Sequence, residues 1–241
     1  MSAYPSTENL YERDEETHKL TGKLKRTDFG QVDRWLVTEK VDGTNIRLLL
    51  QLALPWLPGV YDVRGRTDKA ALPPDFIDVA VPSIDYDRMA QALGAIDEPG
   101  KAGAMVVYGE GYGPGIQKGG GAYGPRKALR VFDVVTYLVD PETGQYSRGL
   151  WRTFPDVELV AEMLDLETVP VFGMWTAGDA LDFVRSEPYS RVAVEDREVV
   201  EYEDVADLPV MEGVVARTDP YLYDYRGNRL IWKLKGRDLP D

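Results

Sequence analysis

The hydrophobic positions of this chain fall into two kinds of pattern. Short runs of β-branched and aromatic residues, each bounded by Gly, Pro or Asp, predict strands over Trp35–Glu39, Asn45–Leu50, Val60–Arg64, Met105–Gly109, Leu129–Leu138, Gly213–Arg217 and Leu230–Lys235. Elsewhere apolar residues recur at three- and four-residue intervals, which predicts helices over Asp85–Ile96, Pro155–Leu164 and Ala177–Arg185. Pro73-Pro74 marks a turn, and Pro82-Ser83 marks another just ahead of the first helix. The glycine-rich run Gly109 to Gly124 is too irregular for a strand and reads as a mobile loop beside a site. Strands grouped at both ends with helices between them point to an α+β fold with antiparallel sheets. No internal repeat or low-complexity linker divides the chain.

Composition narrows the classes. With 241 residues the chain has room for one large domain or two small ones, and 44% hydrophobic content with five Trp supports a packed core. The segment Met1 to Arg26 is polar and shows no signal peptide, and no stretch approaches the roughly 20 apolar residues of a membrane span, so no membrane partner is expected. The absence of Cys excludes disulfides, thiolate metal sites and a thiol nucleophile, and a single His excludes a histidine metal cage. A divalent ion would therefore rest on carboxylates, phosphates and water, which points to magnesium or manganese.

Charge complicates the picture. A net charge of −13 gives poor long-range attraction to phosphate, and taken alone favours a small-molecule enzyme. The charge is uneven, however. Basic residues gather at His18 to Arg26, at Lys118, at Arg126 to Arg130 and at Arg229 to Arg237. The acidic block Glu187 to Asp207 reads as solvated surface.

Candidate chemistry begins at Thr38-Glu39-Lys40-Val41-Asp42-Gly43-Thr44-Asn45, where a Lys ends an apolar strand and a turn of Asp, Gly and Asn follows. A Lys-x-Asp-Gly turn is common in hairpins and says little alone. Further along, Glu110 sits among glycines at a strand end, Phe132 and Asp133 lie within an apolar strand, and Glu212 opens another strand. In Ile231-Trp232-Lys233-Leu234-Lys235 the two Lys share one strand face while Trp232 and Leu234 face a core. Two adjacent cations repel each other, and a shared phosphate would remove the difficulty.

In this order the elements resemble the covalent nucleotidyltransferases, the polynucleotide ligases and mRNA capping enzymes. The finer resemblance is to nick-sealing, phage-type, ATP-dependent RNA ligases. It is carried by TEKVDGTNIR, GRTDKA, GEGYGPGIQKGGGAYGP, MEGVVARTDP and LIWKLK and runs from about Tyr4 to about Asp238. It implies a ligase adenylation domain, antiparallel sheets flanked by helices with the nucleotide bound between them. It also implies three steps: ATP gives lysyl-AMP, AMP passes to an RNA 5′-phosphate, and a 3′-OH displaces it. Lys40 is then the nucleophile. A free Lys, with a pKa of about 10.4, is protonated at neutral pH, and nearby cations (a metal ion and Lys235) together with desolvation would favour the free amine.

The resemblance assigns the remaining roles. Glu110 matches a Glu near the ribose and reacting centre, and Glu212 a second Glu that helps hold the metal. Asn45 matches an Asn that organises a metal-bound water, so Glu110, Glu212 and Asn45 form the implied metal set. Phe132 matches an aromatic that stacks on adenine, although a core Phe explains it as easily. Lys233 and Lys235 match a pair that neutralises the α-phosphate. Arg66 matches a contact to the nucleotide sugar or the 5′-phosphate, with Arg64 on the same face as a rival. Glu39 is assigned to the adenine amino group through backbone atoms near it. Asp42 either shapes the turn or takes part in the chemistry. The loop Gly115 to Gly121 could fold over the triphosphate or the RNA end.

On this reading residues 1–241 form a single domain without a C-terminal OB-fold or helical accessory domain. The RNA grip then comes from the domain itself or from an accessory RNA-binding or end-healing partner, and the expected location is the cytoplasm, bacterial or of a phage-infected host. The alternatives left open are a DNA ligase, a capping-type guanylyltransferase, and a non-catalytic module derived from a ligase.

Overall fold

The computed structural model describes residues 3–97, 101–197 and 207–240. In chain order the strands are β1 (Glu8–Asn9), β2 (Tyr11–Arg13), β3 (Leu20–Leu24), β4 (Trp35–Glu39), β5 (Thr44–Gln51), β6 (Val60–Gly65), β7 (Ala104–Tyr112), β8 (Ala128–Tyr137), β9 (Leu150–Trp151), β10 (Glu167–Thr168), β11 (Val171–Trp175), β12 (Gly213–Arg217) and β13 (Ile231–Lys235). The helices are α1 (Phe76–Ala80), α2 (Tyr86–Ile96), α3 (Phe154–Leu164), α4 (Ala177–Arg185) and α5 (Arg191–Asp196). Among the described residues no helix is long and apolar enough to cross a membrane. Two compact units divide the chain: Met1–Tyr4 with Gly43–Thr168, and Pro5–Asp42 with Val169–Asp241.

The unit built from Gly43–Thr168 carries a six-stranded sheet in the order β10-β8-β7-β5-β6, with β9 pairing β8. β5 pairs antiparallel with β6 on one side and β7 on the other, and its residues Ile46 to Leu50 are buried throughout. α2 starts at an Asp85 cap whose side chain accepts from Arg88 N, which satisfies one of the free donors of the first turn. α3 buries Val157, Val160, Ala161 and Leu164 at helical spacing.

In this unit the glycine run departs from the sequence expectation. β7 does not stop at Gly109 but continues through Tyr112, paired with β5 and β8. The glycines are there for space. A Cβ on Gly109 would lie 2.6 Å from Leu129 Cδ1, and one on Gly111 2.7 Å from the Phe76 ring. Neighbouring side chains fill the room that a side chain would need. The irregular part begins only at Gly113; much of it is exposed, but Ile116 and Gly120 are buried, and Gln117 Nε2 donates to Gly43 O at 3.1 Å.

The other unit holds a five-stranded sheet ordered β1-β13-β12-β4-β11, together with the β2–β3 hairpin. One face of this sheet buries Trp35, Val37, Val214, Ala216, Trp232 and Leu234 against Ala180 and Val184 of α4. Alternation along β13 therefore turns Lys233 and Lys235 to the opposite face, as the sequence pattern requires. α4 begins with a reciprocal capping box between Thr176 and Asp179.

Two charge blocks look different in three dimensions. Of the acidic block Glu187 to Asp207, residues 198–206 lie outside the described residues; the described part includes α5, which buries Val192 and Ala193. Within the basic blocks Arg130 and Arg229 are buried, the first donating to the Tyr112 hydroxyl at 3.2 Å and the second lying over the Tyr221 ring.

Candidate active site

Lys40 follows β4 directly, and its N–H donates to Gly213 O at 2.9 Å at the start of β12. On the other side of β12, Gly213 pairs with Lys235, and Val215 lies between Thr38 and Lys233. Thr38, Lys233 and Lys235 thus share the sheet face away from the tryptophan core, and Lys40 extends it. Gly213 contributes no side chain between Lys40 and Lys235. That position is filled by the preceding residue.

The Glu212 carboxylate bridges the two lysines, with Oε2 on Lys40 Nζ and Oε1 2.6 Å from Lys235 Nζ. Arg237 Nη2 stands 3.5 Å from the same Oε1. The Glu212 side chain is 7% exposed and those of Lys40 and Lys235 are 20% and 15% exposed, so the bridge is largely withdrawn from water. Burial pushes the Glu212 carboxyl up, but the charges and hydrogen bonds of Lys40 and Lys235 outweigh it and hold the group below its ordinary 4.5. Lys233 is held below its ordinary 10.5, by burial first and then by the charges of Lys235, Lys40 and Arg13, with Glu212 opposing. Three lysines around one carboxylate form a cationic pocket on an acidic chain. The sequence reading supplied the lysines and left their counter-charge to a phosphate; here Glu212 provides it.

This bridge has a pH signature. A carboxyl whose folded pKa is depressed contributes stability above its unfolded value of 4.5, and that stability is lost as pH falls through the folded value. Glu212→Gln leaves the lysines facing each other and should cost about 2 kcal/mol near neutral pH. The gap between wild type and variant should narrow below pH 4.5. Urea unfolding of both proteins at about pH 7 and about pH 3.5 measures it, and a gap of equal size at both would contradict the bridge. Glu39 works in the opposite direction in both proteins, since burial raises its carboxyl; the difference between them isolates Glu212.

Glu39 itself is wholly committed. Its carboxylate accepts from Ser190 Oγ at 2.5 Å, Arg191 N at 2.9 Å and Val192 N at 3.3 Å, capping α5. Burial raises its pKa while these three bonds oppose the rise.

The other unit holds Asn45, Arg66, Glu110 and Phe132. Asn45 and Glu110 are direct cross-strand partners on β5 and β7, hence on one face. Asn45 Oδ1 is buried and has no hydrogen-bond partner among the described residues. A buried acceptor left so costs about 1–3 kcal/mol, and an amide oxygen beside a carboxylate is a donor set for a hard cation or its water. Among the described residues no three His, Asp or Glu side chains gather as a metal set. Glu212, implied as a third member, is engaged by Lys40 and Lys235.

Arg66 is exposed, whereas its rival Arg64 is engaged with Asp62 at 2.6 Å and Asp68 at 3.2 Å. Phe132 falls at a bulge, between the Tyr108–Asp133 and Gly109–Val131 pairs. Its ring meets Tyr4 edge-on at 5.0 Å, within an apolar cluster that includes Tyr108 and Trp151. Asp42 is half-buried.

Sequence reasoning missed Arg237, Arg13 and Ser190. For Arg237 a signal existed: Lys233, Lys235 and Arg237 continue one two-residue spacing. Ser190 carried none, because its partner Glu39 lies 151 residues away.

Comparison with known proteins bears on the family and the fold. A family model described as RNA ligase matches residues 33–235. No curated protein matches the chain. Among solved structures it is similar to a mutant Naegleria gruberi RNA ligase with AMP and Mn, at 14% identity and a TM-score of 0.52, covering 98% of this chain and 58% of that one. Another mutant of that ligase, with ATP and Mn, matches at 15% identity and a TM-score of 0.52, covering 95% and 58%. An archaeal ATP-dependent RNA ligase matches at 17% identity and a TM-score of 0.50, covering 99% and 49%. The chain thus spans about half to three fifths of the length of these structural relatives. At such identities the likeness concerns the fold, mixed α+β with largely antiparallel sheets.

Proposed function

The chain belongs to the RNA ligase family, and from that premise we propose that it joins RNA ends with ATP, carrying AMP on Lys40 between the two halves of the reaction. The observation that carries this reading is the Lys40–Glu212–Lys235 bridge, a half-buried amine set among further cations on one sheet face.

Each group has a task in such a reaction. To attack, Lys40 Nζ must leave Glu212 and give up a proton to solvent. It then forms a P–N bond to the α-phosphorus of ATP, while the bond to pyrophosphate breaks. Negative charge grows on the α-phosphate oxygens as this happens, and Lys233 and Lys235 are the cations on that face to offset it. Lys235 can serve once Glu212 is displaced, because the entering phosphate replaces the carboxylate as its partner. A 5′-phosphate oxygen of RNA next takes the AMP, breaking the P–N bond. Finally a 3′-OH attacks the 5′-phosphorus, forms the phosphodiester and expels AMP.

A divalent cation, magnesium or manganese, would add positive charge against the triphosphate. Asn45 and Glu110 are the residues that fit it, because the Asn45 acceptor lacks a partner among the described residues. The solved relatives bound to AMP or ATP with Mn support the same nucleotide and type of ion here. Arg66 would contact the nucleotide sugar or the 5′-phosphate.

The direct test is incubation with α-labelled ATP and magnesium, followed by intact-mass measurement. An added AMP on the protein supports the reading, and transfer from GTP in place of ATP would assign a capping-type reaction. Nicked duplexes with RNA or DNA on the 3′-OH side then identify the strand that is joined.

A further inference from the structure

Beside the lysine cluster, within the same unit, lies a cavity of about 470 Å³. Its floor is apolar, made by Val184, Met211 and Leu239. Its walls come from the end of α4, the strand entry at Glu212, and the turn that follows β13. Glu212 lines it too, so the carboxylate that holds Lys40 also borders this cavity.

Two arginines stand on its rim with donors turned largely to solvent. The Arg237 side chain is 66% exposed and approaches Glu212 only at 3.5 Å. That of Arg185 is 55% exposed, and among the described residues its carboxylate contact is to Asp182 at 3.8 Å. A guanidinium carries five N–H donors in a planar fork that matches phosphate oxygens, and long contacts to carboxylates use little of that capacity. The wall bearing Arg237 is itself held in place. Lys19 Nζ donates to Leu239 O at 2.9 Å and to Arg237 O at 3.2 Å, tying the β2–β3 hairpin to the turn.

We propose that this cavity binds a backbone phosphate of the RNA strand, gripped by Arg185 and Arg237; the proposal rests on the RNA-joining reading and locates its substrate. The rim also carries Glu187, and together with Glu212 it makes the cavity unfavourable for a dianion. A phosphodiester, with one negative charge, suits two arginines facing two carboxylates better than inorganic phosphate or a nucleotide triphosphate does. The ribose 2′-OH offers a donor that an exposed carboxylate such as Glu187 can accept. A chain with net charge −13 must hold a polyanion by local cations, and these are next to the nucleophile's partner.

The test measures binding of a 5′-phosphorylated single-stranded RNA by fluorescence anisotropy, without ATP, between about 50 and about 200 mM salt. Wild type is compared with Arg185→Gln, Arg237→Gln, the double variant, and Lys25→Gln as a charge-matched control. Each arginine change should weaken binding several-fold and make the slope of log K against log salt shallower by about 0.7, with the double variant near twice that. Millimolar inorganic phosphate should leave the bound RNA in place. Arginine variants indistinguishable from Lys25→Gln, or RNA released by inorganic phosphate, would overturn the proposal. A protein that takes up AMP but whose RNA grip ignores the arginines loses only this cavity; one that binds RNA through them yet never carries AMP loses only the lysyl-AMP reading.

Discussion

Protein with Lys40→Ala, exposed to ATP and magnesium, should carry no AMP, with labelling at least about 10³-fold below wild type. The loss follows from the chemistry, since no other group at that position can form the P–N bond. A stricter version is Lys40→Arg. Arginine keeps a positive charge opposite Glu212 and can preserve the ion pair, but its guanidinium does not deprotonate at any accessible pH and so cannot attack. If Lys40 served only as the counter-charge of Glu212, Lys40→Arg would stay active. If it is the nucleophile, both variants are equally dead. Neither change touches the core, because strand alternation sends Trp35 and Val37 to the face opposite Thr38 and Lys40. Melting temperature therefore serves as the check that the variants are folded. Peptide mapping completes the experiment, and AMP found on Lys40→Arg, or on another residue of wild type, would remove the basis of the proposed mechanism.

The lysines were legible in the sequence for the same reason that the strands bearing them were. β4 and β12 run over the expected residues, and β13 begins one residue late, because each has an alternating apolar face that is buried in the core. Trp232 and Leu234 give β13 its register, and that register fixes Lys233 and Lys235 as neighbours on the other face. α4 kept its bounds because its capping box and its apolar stripe agree.

What escaped the sequence depends on partners rather than on pattern. β1, β9 and β10 have two residues each and exist only because a longer strand pairs with them. β11 pairs with β4 through a register shift at Gly173, which sits at φ 130°, so its five residues never show a clean alternation. The hairpin β2–β3 is mostly polar and partly exposed, as the sequence suggested for a charged segment, and its role in holding the Arg237 turn through Lys19 is a matter of tertiary contact. The glycine run is strand as far as Tyr112 and irregular, as its composition suggests, only from Gly113; at Gly109 and Gly111 glycine marks crowding. At the site, the same limitation hid the bridge. Glu212 was visible as an acid at a strand start, but its position between Lys40 and Lys235 follows from the pairing of β4, β12 and β13.

That pairing is the source of the second large effect, expected from Gly213→Ala. Gly213 has φ 154°, a conformation that side-chain-bearing residues rarely adopt. A Cβ there would lie 2.0 Å from Leu234 O and 2.8 Å from Lys235 Cα, both backbone atoms of β13, so no rotamer change can relieve the clash. The strand must move, and with it the Gly213–Lys235 pairing and the bond from Lys40 N to Gly213 O. A loss of about 4 kcal/mol is expected, a fall of roughly 10 °C in melting temperature for a chain of this length. Gly94→Ala is the comparison: it lies within α2, where an added Cβ meets nothing within 4 Å, and it should stabilise by up to about 1 kcal/mol. Any Gly213→Ala protein that folds at low temperature should also form lysyl-AMP poorly, because Lys235 and Lys40 take their spacing from the strip of backbone that the methyl group pushes apart. A variant that melts with wild type and labels with wild type would mean that β12 and β13 do not meet at Gly213, and the lysine bridge would lose its frame.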